Sequence, residues 1–264
     1  MKVFHITDHL PGYHRVWGGA EQVAYRFIKL ETETDKDKVL VGTVESNKKI
    51  DEKFKHIRIR VMEDFFPERF QVYITGIKNR IFPFDPISFV HLLWIFREER
   101  PDIVHFHKFN KISFSGILAA KLTGAKVVLG MYDYWYLCPG GMLIDGNRNT
   151  CRRFHGLWCS NCTAVKDFRI FLPITSIIRK PIFNFFLGMI DAYAVLSNFL
   201  EKMLVEYGIP KNKIFLVRQV FKLDKKIMGA RRNKKRKDLL FVGWLDPRKG
   251  PDMAIQTLFL VKKK

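Results

Sequence analysis

The chain has 264 residues, 47% of them hydrophobic and 14% aromatic, which excludes intrinsic disorder and suffices for one good core and the beginning of another. Its 46 Lys and Arg against 26 Asp and Glu give a formal charge of +20 that calls for an anionic partner, but no recognisable RNA- or DNA-binding motif accompanies it, so nucleic acid is not expected. The opening MKVFHIT reads as a buried strand rather than a signal peptide, and Arg169, Arg179, Lys180 and Asp191 interrupt the longest apolar stretch, so a cytoplasmic protein is expected.

Lys2 to Thr7 reads as the first strand. After a loop reaching Gly19, the residues Ala20, Val23, Ala24, Phe27 and Ile28 trace one helical face. Lys38 to Val44 and His56 to Val61 read as strands, the second with the alternation of a half-exposed one. Residues 65–96 interleave Phe65, Phe66, Phe70, Tyr73, Ile77 and Trp94 with Arg69, Lys78 and Arg80. That pattern fits a core helix pair with a basic outer side, and it also fits an interfacial segment suited to an anionic membrane surface. A lysine-rich composition with no special partner is the third reading of the charge.

Ile87 to Glu99 is predicted helical and stops before Pro101. A strand at Asp102 to Phe106, a helix at Phe114 to Leu122 and a buried strand at Lys126 to Met131 follow. The pattern then breaks into an irregular insert, 132–166, that holds all four cysteines. A helix near Ser176 to Leu187, a strand at Ala192 to Leu196, a helix at Asn198 to Tyr207 and a strand at Ile214 to Val217 restore the alternation. Alternating strands and helices predict an α/β fold with a doubly wound, mostly parallel, Rossmann-like sheet over residues 1–220. Residues 221–237 form a basic linker ending in ARRNKKRK, read as a solvated interdomain segment. Residues 238–264 then begin a second α/β domain with a strand at Leu239 to Val242, a turn and a helix start.

Gly18 and Gly19 open a helix directly after the first strand's loop, where backbone and helix N-terminus can approach a phosphate. His105 and His107 end a strand at its carboxyl edge and, two residues apart, project from the same face. That edge is where an α/β sheet places substrate contacts, and His107 is the preferred candidate of the two. Cys138, Cys151, Cys159 and Cys162 end in a C-x₂-C pair, and four thiolates can complete the tetrahedral shell of a structural zinc ion; free thiols and disulfides are the other two states.

Five segments in this order resemble glycosyltransferase family 4: GGAE at Gly18 to Glu21, DIVHFH at Asp102 to His107, YDYWYLCP at Tyr132 to Pro139, AYAVLSNFLEKMLVEYGIP at Ala192 to Pro210, and VGWLDPRKGPD near the end. The resemblance implies the GT-B architecture of two facing Rossmann-like domains, of which this chain carries the N-terminal one and the start of the donor-binding one. It implies retaining transfer of a sugar from a nucleotide-sugar to a hydroxyl of a glycan or lipid-linked acceptor, with no cofactor for catalysis. Gly18 and Gly19 would meet the donor phosphates or the acceptor, and Glu21 and Tyr132 would lie on the acceptor side. His107 and Asp133 would act on the acceptor, with Tyr132 standing where the family usually has histidine. Lys249 would grip the donor diphosphate, aided by Arg248, because Trp244 occupies the place of the family's arginine. The family's downstream glutamate pair lies beyond Lys264, so the chain alone is expected to be inactive. The alternative is a catalytically inactive binding module that docks at a membrane surface or a protein partner. On either reading the protein is expected at the inner face of the membrane or free in the cytoplasm.

Overall fold

The computed structural model describes residues 1–12, 14, 18–34, 38–44, 54–80, 83–145, 149–154, 159, 172–218, 239–243, 245 and 249–262. The chain divides into two compact units, Met1–Gln219 and Val220–Lys264. The first is built on a seven-stranded sheet in the order β3-β2-β1-β4-β5-β6-β7. Its strands are β1 Val3–Ile6, β2 Val39–Thr43, β3 Lys55–Arg58, β4 Ile103–Phe106, β5 Lys126–Met131, β6 Ala192–Val195 and β7 Ile214–Leu216. All neighbours pair in parallel, as the alternation of elements predicts. The connecting helices are α1 Gly19–Thr34, α2 Glu68–Arg80, α3 Pro86–Glu99, α4 Ser115–Leu122, α5 Leu172–Gly188 and α6 Asn198–Tyr207.

Helix ends fall where the local chemistry puts them. Asp85 caps α3 by accepting from the Ser88 N–H at 2.9 Å, and Pro86 takes the first helical position. Arg100 ends the helix in the left-handed region at φ 46°, one residue before Pro101. Ser197 caps α6 through the Leu200 N–H, and Gly208 closes it at φ 108°.

The central strands bury both faces, so apolar residues are not confined to alternate positions. Phe4, Ile6, Val104 and Phe106 belong to the main core, where the Phe4 and Phe96 rings meet edge to face at 5.4 Å. Gly116 of α4 makes room for Phe106, since a Cβ there would come within 2.8 Å of the ring. A smaller apolar cluster joins Ile28 of α1 to Val39 and Val41 of β2.

The aromatic stretch resolves into two different surfaces. Helix α3 packs on α4 and buries Leu92, Ile95 and Phe96. Helix α2 leaves Phe70, Val72, Tyr73 and Ile77 exposed, and Phe65 and Phe66 just before it are exposed as well. Lys78 corrects the expectation of a basic outer side. It is only 1% exposed, and its ammonium donates to Glu63, Asp85 and the carbonyl of Lys111. A cation removed from water is held only by such partners. Arg179, read as a charge interrupting an apolar run, is likewise buried and lies over the Phe183 ring at 3.6 Å. Among the described residues, no helix is long and apolar enough to cross a membrane.

In the second unit, helix α7 Pro251–Lys262 forms as the spacing at Met253, Ala254, Thr257 and Leu258 predicts. The expected strand at Leu239 to Val242 does not form, and its residues are exposed. A strand exists only through hydrogen bonds to a neighbouring strand, and none is found among the described residues of this unit. The basic linker 221–237 lies outside the described residues.

Replacing Lys78 with methionine should destabilise the first unit by about 3–5 kcal/mol, because Glu63 and Asp85 would remain buried without their cation. Urea denaturation of the two proteins measures this, and a loss below about 1 kcal/mol would show that the buried ion cluster carries no stability.

Candidate functional site

The strand order reverses between β1 and β4, and a parallel sheet opens a crevice at the carboxyl ends of its strands where this happens. The loops after β1, β4 and β5 bring Asp8, Glu21, Lys108, Lys111, Tyr132 and Asp133 to this place.

The GGAE segment is first of all a helix start. The Gly18 N–H donates to Glu21 Oε2 at 2.9 Å, the half of a capping box in which the third helical residue reaches back. Lys108 Nζ lies 3.4 Å from the other oxygen of the same carboxylate. Glu21 is therefore committed to the cap and to Lys108, and only 3% of it is exposed. A Cβ on Gly18 would come 3.2 Å from the Glu21 carboxylate, whereas one on Gly19 would meet nothing within 4 Å. The crowded glycine is Gly18, and the space beside Gly19 is open.

Asp133 Oδ1 accepts from the Trp135 N–H at 3.0 Å and closes the turn after β5. Burial pushes its carboxyl above the ordinary range. Tyr132 turns back over its own strand so that its hydroxyl lies 2.7 Å from His107 Nδ1. This requires Gly130: a Cβ there would stand 2.5 Å from the Tyr132 oxygen. Burial raises the Tyr132 phenol well above its usual value, so the hydroxyl keeps its proton.

His107 is 2% exposed and does not stand alone. Its Nε2 lies 2.9 Å from Nδ1 of His5, and its ring centroid is 4.0 Å from that of His105. His5 and His105 are directly paired in the β1–β4 register, which puts all the rings on the face that α1 covers through Phe27. Burial holds His105 and His107 well below the ordinary histidine range, aided by His5 beside both and by His105 beside His107, so both rings are neutral at pH 7.

Sequence reasoning missed His5, Asp8 and Lys108. The signal for His5 is a lone polar residue inside the buried run VFHI; its partners become visible only when β1 is laid beside β4. Asp8, two residues after β1, is 3% exposed and accepts from the Lys111 N–H at 3.1 Å.

The remaining candidates are more scattered. Lys249 is exposed, two residues before α7, and Gly250 beside it adopts φ 68°. Arg248, Trp244 and Cys162 lie outside the described residues. Cys138, Cys151 and Cys159 are half-buried, and they form no three-ligand group with one another among the described residues.

A doubly wound parallel sheet with polar side chains gathered at its switch point defines the class: an α/β domain of the Rossmann-like kind. The model of the family described as Glycosyltransferase Family 4 matches residues 17–221, and the chain belongs to that family. Among solved structures it is similar to HepE of Anabaena in complex with UDP and glucose, at 11% identity and a TM-score of 0.48 over 84% of this chain and 45% of that one. It is also similar to the lipopolysaccharide outer core galactosyltransferase WaaB, at 14% identity and a TM-score of 0.43 over 85% and 47%. UDP-N-acetylglucosamine 2-epimerase from Rickettsia bellii follows at 14% identity and 0.40 over 82% and 44%. The chain thus spans less than half the length of these structures. No curated protein matches it significantly.

Asp8 makes the crevice sensitive to pH. Burial lifts its carboxyl from 3.8 to about 7 against the lowering effect of the Lys111 N–H and nearby lysines. The folded protein therefore holds this proton to higher pH than the unfolded chain. The associated stability is complete below about pH 4 and is lost as pH rises through about 7. Asp8→Asn should flatten that decline, with a difference between the proteins of up to about 4 kcal/mol above pH 7. Denaturation curves at pH 4, 6 and 8 test this, and parallel pH profiles would refute it.

Proposed function

We propose that this chain is the acceptor-side part of a retaining glycosyltransferase, which moves a sugar from a nucleotide-sugar to a hydroxyl of a glycan or lipid-linked acceptor. The observation that carries the reading is the family match across 17–221, joined to polar side chains gathered at the switch point of the matched sheet. That HepE is described in complex with UDP and glucose agrees with a nucleotide-sugar as partner. The residues around His107, Tyr132 and Asp133 line the acceptor wall, with Gly18 and Gly19 beside them. His107 and Tyr132 hold one another by their 2.7 Å contact, so the tyrosine fixes the orientation of the His107 ring. Lys249 belongs to the donor side, where an ammonium meets the diphosphate and gains most as charge builds on the leaving group. Arg248 adds a second cation, and a zinc ion on the four cysteines would serve only to hold the insert.

A test compares transfer from a panel of nucleotide-sugars by wild type, Lys249→Ala and His107→Ala in a protein with a complete donor site. Lys249→Ala should lower turnover about a hundredfold, roughly 3 kcal/mol, with little change in acceptor binding. His107→Ala should instead weaken acceptor use. If neither changes transfer, the assignment of both walls is wrong.

A second reading is favoured by α2. Phe65, Phe70, Val72 and Tyr73 are exposed at 64%, 45%, 76% and 54%, and the Arg69 guanidinium lies 4.9 Å from the centre of the Phe70 ring. Aromatic residues beside cations suit an anionic membrane face, which would also present a lipid-linked acceptor. The inactive-module alternative uses the same surface without the chemistry. The chain should float with vesicles containing phosphatidylglycerol but not with pure phosphatidylcholine. Phe70→Ser with Tyr73→Ser should lower the bound fraction several-fold, and equal flotation of both proteins would reject this surface.

A further inference from the structure

On the α1 face of the sheet, the three histidines do something that neither the fold nor the crevice requires. His5 lies within β1, His105 within β4, and His107 directly follows β4. One ring nitrogen of each falls within 4.8 Å of those of the other two. Such positions in a parallel sheet ordinarily carry apolar β-branched residues, as Val39 and Val41 do on neighbouring β2. Burying imidazole nitrogens without partners costs about 1–3 kcal/mol each, and His105 Nε2 is buried with no hydrogen-bond partner among the described residues.

The outer nitrogens of the other two rings are each met by an oxygen. Glu31 Oε2, on α1, approaches His5 Nε2 at 2.6 Å, although the nitrogen makes no aligned hydrogen bond. The Tyr132 hydroxyl stands 2.7 Å from His107 Nδ1. The inner nitrogens, His5 Nδ1 and His107 Nε2, face one another at 2.9 Å. A ligating histidine typically offers one nitrogen to the ion and its other N–H to a carboxylate or hydroxyl oxygen, which fixes tautomer and ring orientation. If both outer nitrogens carry protons toward Glu31 and Tyr132, both inner ones present lone pairs to each other. That arrangement is repulsive unless a cation lies between them.

We propose that His5, His105 and His107 form a site for one divalent transition-metal ion, Zn²⁺ being the chemistry it fits best. His5 binds through Nδ1 and His107 through Nε2, while His105 supplies the third nitrogen. Glu31 and Tyr132 orient the first two rings from behind. Imidazole nitrogens suit zinc, and three protein ligands leave a fourth position for water or an external oxygen ligand. In a tetrahedral site with Zn–N of about 2.0–2.1 Å the ligand nitrogens stand about 3.3 Å apart, so the inner pair needs to open by only about 0.4 Å and the third nitrogen to close in. This site is separate from the four cysteines and shares His107 and Tyr132 with the proposed acceptor wall. It stands on its own geometry, whether or not the chain transfers sugars.

The test uses the full chain with all four cysteines replaced by serine, dialysed against Zn²⁺ and analysed for bound metal. One zinc per chain should remain, and X-ray absorption should show nitrogen ligands at about 2.0–2.1 Å with imidazole scattering. In the same background His105→Gln should abolish stoichiometric binding, and Glu31→Gln should weaken it about 10–100-fold. Should a substituted protein not fold, X-ray absorption of zinc-loaded wild type decides: imidazole scattering supports the site, and a shell of sulfur alone overturns it. Absence of bound zinc in a folded cysteine-free protein would also overturn it, as would full affinity in His105→Gln.

Discussion

The pairing of β1 with β4 is the contact on which the rest of this structure depends. It is the point where the strand order reverses, so it creates the crevice at the carboxyl ends. It also sets His5 opposite His105, because a parallel register pairs these residues directly. A slip by one residue would send every side chain of β1 to the other face. Phe4 and Ile6 would then leave the main core, and His5 would be driven into it. The apolar packing on one face thereby determines which polar groups meet on the other.

The structure places several ionisable groups out of water and gives each a different answer. Lys78 is met by two carboxylates and a carbonyl, and so ties α2 to the start of α3 and the loop before α4. Asp8 has only backbone and distant lysines to oppose its burial, so its carboxyl holds a proton to near neutrality. His105 and His107 stay neutral. A structural cation needs compensation close at hand, whereas a group at the crevice can leave its demand unmet until a ligand arrives. By that criterion Lys78 belongs to the architecture, while Asp8 and the histidines belong to the site.

The aromatic content divides in the same way. Phe106, Phe109, Phe114 and Phe183 form one continuous packed cluster, extended by Trp135 and Tyr136 from the insert after β5. The first part of that insert is therefore core, not a loop laid over the surface. The aromatic residues of α2 remain about half exposed on the outer surface of the first unit.

The sequence by itself determined the elements and their class. Strand and helix periodicity placed Lys126–Met131 and Asn198–Tyr207 at the bounds observed, and most other elements of the first unit within a few residues, because these signals are local; α2 was legible only as part of an undivided aromatic segment. Local chemistry likewise supplied the caps at Ser197 and Gly208. Family membership was legible from ordered short segments, since GGAE, DIVHFH and YDYWY preserve residues whose spacing a sheet dictates. Only the tertiary structure decided what these residues touch. That Lys78 is buried, that Glu21 spends its carboxylate on its own helix, and that Tyr132 reaches His107 over Gly130 are facts of packing between segments distant in sequence. Leu239 to Val242 makes the same point in reverse: an apolar, β-prone run stays outside any sheet because strand formation needs a partner that propensity cannot provide. His5 is the clearest case. Nothing around it in the chain marks it as more than a polar residue in a strand, and it becomes part of a site only when a strand about a hundred residues away is hydrogen-bonded alongside.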